Sequence, residues 1–272
     1  MNTALTYHRQ PLKFFLLVFA ISIPFWIIDF MMNTQRTSFL NFSTIDIITA
    51  FIPITAASIL VYKEEGSHGI HKLFKRIFDF DRITKKSWYV PIIFLPSLIY
   101  FLIYITIFLL KLPLPDNIYI PFKSIPLLFF LFFIGAICEE TGYIGYAIEP
   151  MQKRFGALGA SILIGFLWSV WHFPSIIKQG HNFYWIAWAT LGTVAVRVLI
   201  VWIFNNTNKS LFACILFHTM MNMGRPLFPQ DVFHKPLVDY PYIHYPIIAI
   251  VAVIIIFCWD SKTFTKFLQF NF

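Results

Sequence analysis

Eight stretches of this chain are apolar over roughly the 20 residues that a helix needs to cross a bilayer. They run from about 14 to 32, 45 to 62, 88 to 110, 125 to 148, 157 to 177, 183 to 204, 206 to 223 and 243 to 259. A helix satisfies its backbone polar groups within one segment, as lipid demands. The expected fold is therefore all-α, a polytopic membrane helical bundle with about eight transmembrane helices. With no internal repeat or low-complexity segment, residues 1–272 read as a single membrane domain. The seventh stretch is the weakest. Its strictly apolar part, 211 to 223, is short, so 205 to 210 must supply a turn. Pro24, Pro53, Pro91 and Pro96 are expected to kink the first three spans.

Composition agrees. The 272 residues are 58% hydrophobic and only 12% charged, with a mean hydropathy of +0.70; soluble domains carry about 25% charged residues. The net charge of +8 is not a nucleic-acid signature here, because the basic residues lie mostly in short loops, where they orient the chain. Eight spans put both termini on one side. That side collects Arg9, Lys13, Lys153, Arg154, Lys209, Lys262, Lys266 and the many basic residues between 63 and 86. The other side holds Arg36, Lys111, Lys123, Lys178, Arg225 and Lys235. The imbalance makes the first side cytoplasmic, and a bacterial plasma membrane is the expected location. The 63 to 86 loop, which also carries Glu64, Glu65, Asp79 and Asp81, reads as an amphipathic segment at the headgroups, with substrate docking as the alternative. Cys138, Cys214 and Cys258 show no CxxC pairing and read as buried apolar side chains. The first apolar run has basic residues before it but is too long for a signal peptide, and reads as a retained span.

Within this apolar background a few ionisable residues stand out. Glu139 and Glu140 lie in the fourth span, His172 in the fifth and His218 in the seventh. Such groups at membrane depth mark a functional site facing the bundle interior or a wet cavity. At a rise of about 1.5 Å per residue, all of them fall roughly 12 to 22 Å from the cytoplasmic face. Neighbouring helix positions diverge by about 100°, so the two glutamates cannot share a target. One suits a general base for water, the other a structural or orienting contact. His218 and Asn222 are spaced i, i+4 and share a face; their N–H groups suit an oxyanion. His172 would partner the activated water or bind a metal. Zinc needs three protein ligands and an open position, and Glu139 or Glu140 with His172 and His218 could provide them. Of the remaining histidines, His68, His71, His181, His234 and His244 read as ordinary surface residues.

Three segments carry a resemblance. The run from Glu139-Glu140 through Tyr143 and Gly145, then Trp168 to His172, then His218 to Asn222, resembles the EExxxR, FxxxH and HxxxN motifs of the CPBP family. These are the CAAX-processing and bacteriocin-processing intramembrane proteases, also called Abi proteins, and the matching core spans about 125–224. The resemblance implies that Glu140 activates water with His172, that His218 and Asn222 stabilise the oxyanion, and that Glu139 supports the site. Relatives are called metalloproteases, and a metal-free glutamate mechanism is also argued, so zinc stays open.

Two positions depart from the pattern. Trp168 replaces Phe, a mild change, but Ile144 replaces Arg and removes a guanidinium from the glutamate's helix face. Arg197, midway along the sixth span, lies at a depth similar to that of Ile144, roughly 10 Å. The expectation is that Arg197 supplies the missing charge from another helix, with Tyr143 adding a hydrogen bond to Glu139 or Glu140. The alternatives are that Arg197 snorkels to lipid phosphates or pairs with Glu149.

The leading function is an intramembrane endopeptidase acting on a hydrophobic or lipid-modified peptide, with membrane lipid as its surroundings and no nucleic-acid partner. The loss of Arg at 144 motivates an alternative: a non-catalytic relative serving bacteriocin self-immunity or cell-envelope scaffolding. A small transporter or channel is the third class, since buried acids and histidines also form proton relays.

Overall fold

The structure, a computed structural model, describes residues 9–32, 44–114, 122–227 and 240–265. Arg36, His234, Lys235, Lys266 and most of the loop from 224 to 242 lie outside the described residues. Within them the chain is helical throughout: α1 (Pro11–Met31), a short α2 (Thr44–Thr49), α3 (Ile52–Lys75), α4 (Tyr89–Leu109), α5 (Ile125–Gly142), α6 (Ile148–Lys178), α7 (Phe183–Asn206), α8 (Leu211–Leu227) and α9 (Pro241–Cys258). Six helical segments among the described residues are long and apolar enough to cross a membrane. One of these, Phe122–Lys178, contains both α5 and α6. With α8, which is one turn shorter than most of its neighbours, they form a multi-pass bundle of about eight crossings.

Proline acts differently from position to position. Pro53 occupies the first turn of α3, where a missing N–H costs nothing, so it starts the helix and does not kink it. Pro24 and Pro96 lie inside α1 and α4. The sharper interruptions are at Gly66 in α3 and Gly156 in α6, whose φ angles are 66° and 69°. Only glycine adopts that region without strain. Between the fourth and fifth apolar stretches, Pro150 is the residue at which the sequence suggests a corner. In the structure the helix runs past Pro150 and turns at Gly156. The N–H groups left open there are satisfied from the chain's far end, since Ala157 and Leu158 donate to the carbonyls of Lys262 and Ser261 at 2.7 and 3.0 Å.

The loop from 63 to 86 is mostly helical, comprising the end of α3 and three short 3₁₀ turns. It docks on α8 through Asp79, whose carboxylate accepts from Ser210 Oγ at 2.8 Å and from the backbone N–H groups of Leu211 and Phe212 at 3.2 and 3.0 Å. A carboxylate at a helix N-terminus satisfies orphan donors and faces the positive end of the dipole. The turn expected at 205 to 210 is present, with Asn208 and Lys209 at positive φ. Replacing Asp79 by Ala should lower stability by about 1 to 2 kcal/mol, measured as an earlier thermal or denaturant midpoint in detergent.

One buried core runs through α1 and α3 to α9. Two residues differ from their sequence reading. His244 is 6% exposed and packs edge-on against the Tyr100 ring at 5.4 Å, inside the bundle and not at its surface. Cys258 is exposed on α9, unlike buried Cys138 and Cys214, because it points outward on the last turn.

Close packing of α6 on α7 sets the position of the arginine. A Cβ at Gly165 would lie 2.8 Å from the Val194 Cα and 3.0 Å from the Arg197 Cβ. Small residues let membrane helices approach in this way. Gly165→Ala must therefore push α7 and Arg197 outward. The expected result is a stability loss of about 1 to 3 kcal/mol, read as a lower unfolding midpoint.

Candidate active site

Four helices bring their polar residues together: α5 supplies Glu139 and Glu140, α6 His172, α7 Arg197, and α8 His218 with Asn222. Immediately after Glu140 the backbone widens into a π-helical turn, Tyr143–Ala147, a departure often found at functional sites. Its Gly145 carbonyl accepts from two arginines, Arg9 and Arg76, at 2.5 and 3.3 Å.

The two glutamates diverge as their adjacency requires. Glu140 is fully buried, and both of its oxygens are engaged: Oε2 accepts from Arg197 Nη1 at 2.5 Å, and Oε1 from His218 Nδ1 at 2.8 Å. Glu139 is only partly buried and accepts the indole N–H of Trp168 on Oε2 at 2.6 Å. Its other oxygen makes no hydrogen bond among the described residues. The carboxylate with a free oxygen is Glu139, and Glu140 is the one tied to neighbouring helices.

Arg197 is fully buried and neither snorkels nor reaches Glu149, which pairs with Lys209 at 2.9 Å and Arg76 at 3.7 Å. Its guanidinium lies over the rings of Trp168 and Tyr143, 4.4 and 5.2 Å from their centroids. These aromatic faces offset the burial of a cation whose Nε and Nη2 make no hydrogen bond among the described residues. Tyr143 does not play the expected part. Its hydroxyl has no hydrogen-bond partner among the described residues, and it serves Arg197 through its ring, which also packs against Phe14 and Phe15.

His172 Nδ1 lies 2.8 Å from the Trp168 carbonyl oxygen. A carbonyl only accepts, so Nδ1 carries the proton and Nε2 is left as an acceptor. The ring is braced edge-on by Trp171 at 4.7 Å and Trp168 at 5.5 Å. His218 is 3% exposed, held by Glu140 and by the Trp168 ring at 5.3 Å. Asn222 is partly exposed one turn further along the same face.

The comparisons with known proteins point the same way. Residues 121–224 match the model of the type II CAAX prenyl endopeptidase Rce1-like family, and this stretch holds all three motifs. Over that stretch the chain is similar to the CAAX-protease family. Over 247 residues it is 27% identical to CAAX prenyl protease 2 of Methanococcus maripaludis, covering 82% of this chain and 86% of that protein. These matches, with the helices of bilayer length, support a protease embedded in a membrane.

As ligands for zinc, the residues present do not fit. Among the described residues no three His, Cys, Asp or Glu side chains converge on a metal-sized point. Both Glu140 oxygens are already committed to Arg197 and His218, and a guanidinium at that position opposes a dication. Sequence reasoning found Arg197 from its lone placement in an apolar span. It missed Trp168, whose indole contacts appear only in three dimensions.

Proposed function

We propose that this protease cuts a lipid-modified or hydrophobic peptide within the membrane by attack of a water that Glu139 and His172 activate. The observation that carries the reading is the division of labour between adjacent carboxylates: Glu140 locked by two hydrogen-bonded partners, Glu139 with an oxygen available. Glu139 Oε1 takes a proton from the water while His172 Nε2 accepts from its other hydrogen and orients it. The hydroxide adds to the peptide carbonyl carbon. Asn222 Nδ2–H₂ donates to the resulting oxyanion. His218 Nε2 adds a second donor when the ring carries both protons, since Nδ1 already donates to Glu140. The proton held by Glu139 passes to the leaving nitrogen as the C–N bond breaks.

In this reading Glu140 and Arg197 form the frame that aims His218. Arg197 supplies from α7 the guanidinium that Ile144 removed from α5. The name of the Methanococcus relative, a CAAX prenyl protease, favours a prenylated C-terminal peptide as substrate. The excess of basic residues on the face carrying 63 to 86 favours a plasma membrane orientation with both termini cytoplasmic.

The test is cleavage of a farnesylated peptide, and of its unmodified counterpart, by the purified full chain in liposomes. The solvent is ¹⁸O-labelled water, with and without a chelator. The expected result is one ¹⁸O atom in the new carboxyl group, faster cutting of the farnesylated peptide, and no effect of chelation. Chelator-sensitive cleavage would refute the metal-free water activation. No cleavage of either peptide would move the chain toward the scaffold or immunity alternative.

A further inference from the structure

Trp168 touches nearly every group of the candidate site. It is 7% exposed and sits one helical turn before His172 on α6. Its indole N–H donates to Glu139 at 2.6 Å, and its carbonyl accepts from His172 Nδ1 at 2.8 Å. Its ring packs edge-on against His172 and His218 and lies under the Arg197 guanidinium at 4.4 Å. The phenylalanine of the family motif could offer the ring but has no donor. The N–H is therefore a feature of this chain, and it falls on the carboxylate that keeps a free oxygen.

We propose that Trp168 is a positioning residue for hydrolysis, resting on the reading of Glu139 as the base. Its indole N–H occupies Oε2 and fixes the Glu139 rotamer, so that Oε1 alone meets the water. An unrestrained glutamate has three rotatable bonds and spends most of its time aimed elsewhere; one short hydrogen bond to a buried, ring-packed donor removes that freedom. The same indole gives the relocated guanidinium of Arg197 an aromatic face. The departures at 144 and 168 are thereby linked: a cation arriving from α7 needs a face to lie on, and the wider ring that provides it also brings a donor to Glu139.

The test uses the full chain in liposomes with three substitutions: Trp168→Phe, Trp168→benzothienylalanine, and Glu139→Gln. The benzothienyl group keeps the shape and face of indole and replaces only N–H by sulfur. It is expected to lower kcat about 10- to 100-fold, the scale of a misaimed catalytic group, with KM unchanged within about twofold. Trp168→Phe should lose more, because Arg197 also loses part of its face.

A second arm does not depend on activity. In ¹⁵N-tryptophan-labelled protein, the Trp168 indole N–H resonance should lie downfield of those of the other seven tryptophans and move upfield in Glu139→Leu. Wild-type kcat in the benzothienyl variant, a loss carried wholly by KM, or an indole resonance indifferent to Glu139→Leu would each overturn the proposal. If Glu139→Gln remains active, the base assignment has failed instead, while the resonance still decides whether the hydrogen bond exists.

Discussion

Glu139→Gln is expected to lower the rate of peptide cleavage by about 10² to 10⁴, the usual contribution of a general base, while leaving the protein folded. The amide keeps the carboxylate's shape, and its carbonyl oxygen can still accept from the Trp168 indole, so the packing around α6 is retained. What disappears is the capacity to take a proton from water. The neighbouring substitution should behave differently. Glu140→Gln removes the charge that two buried donors share, leaving the Arg197 guanidinium without its counter-ion. Its main expected effect is on stability, with activity falling because His218 loses its anchor. Measuring kcat and the unfolding midpoint for both variants separates the roles. A Glu139→Gln enzyme that cuts at the wild-type rate, beside a stable but inactive Glu140→Gln, would restore the assignment expected from the motif alone.

The different surroundings of the two glutamates show where the sequence stops being informative. The 100° between adjacent helix positions says that two neighbouring glutamates must face different ways, but not which way each faces. The outcome depends on the rotation of α5, which is set by packing on α3 and α8 and by the π-helical turn after Gly142. Neither leaves a signal in hydropathy. The bundle itself was legible because its constraint is crude: apolar runs of bilayer length must be helices, although α3 runs on to Lys75 and α6 begins at Ile148, well outside the apolar stretches that mark them. Arg197 was legible for a related reason. A cation midway along an apolar span must find a partner, and matching its depth to Ile144 indicated the right region. Tyr143 was misread because spacing placed it near the carboxylates without saying whether its ring or its hydroxyl would face them. The corner at Gly156 was missed because Pro150 looked like the stronger breaker. Proline in a first helical turn is tolerated, and it was the positive φ at glycine that turned the chain. His244 was given to the surface because it lies near a span edge, where exposure depends on which side of the helix a neighbour covers.

The Arg197–Glu140 pair is where the largest stability effect is expected. Neither side chain is exposed to solvent, and removing one member of a buried pair typically costs about 3 to 5 kcal/mol because the survivor keeps its desolvation penalty. Arg197→Leu should therefore lower the unfolding midpoint sharply, as should Glu140→Leu. The double variant is the informative one. With both charges gone the penalty vanishes, and an apolar pair of similar bulk can be as stable as the ion pair it replaces. Its stability is expected to return close to that of the wild type. Activity is not expected to return with it, since His218 then has no carboxylate to hold Nδ1 and its imidazole is free to turn away from the oxyanion. A double variant that remains as unstable as either single one would mean that Arg197 acts through the Trp168 and Tyr143 rings more than through Glu140. One that recovers both stability and cleavage would show that the ion pair is dispensable, and that Asn222 suffices as oxyanion donor without a fixed His218.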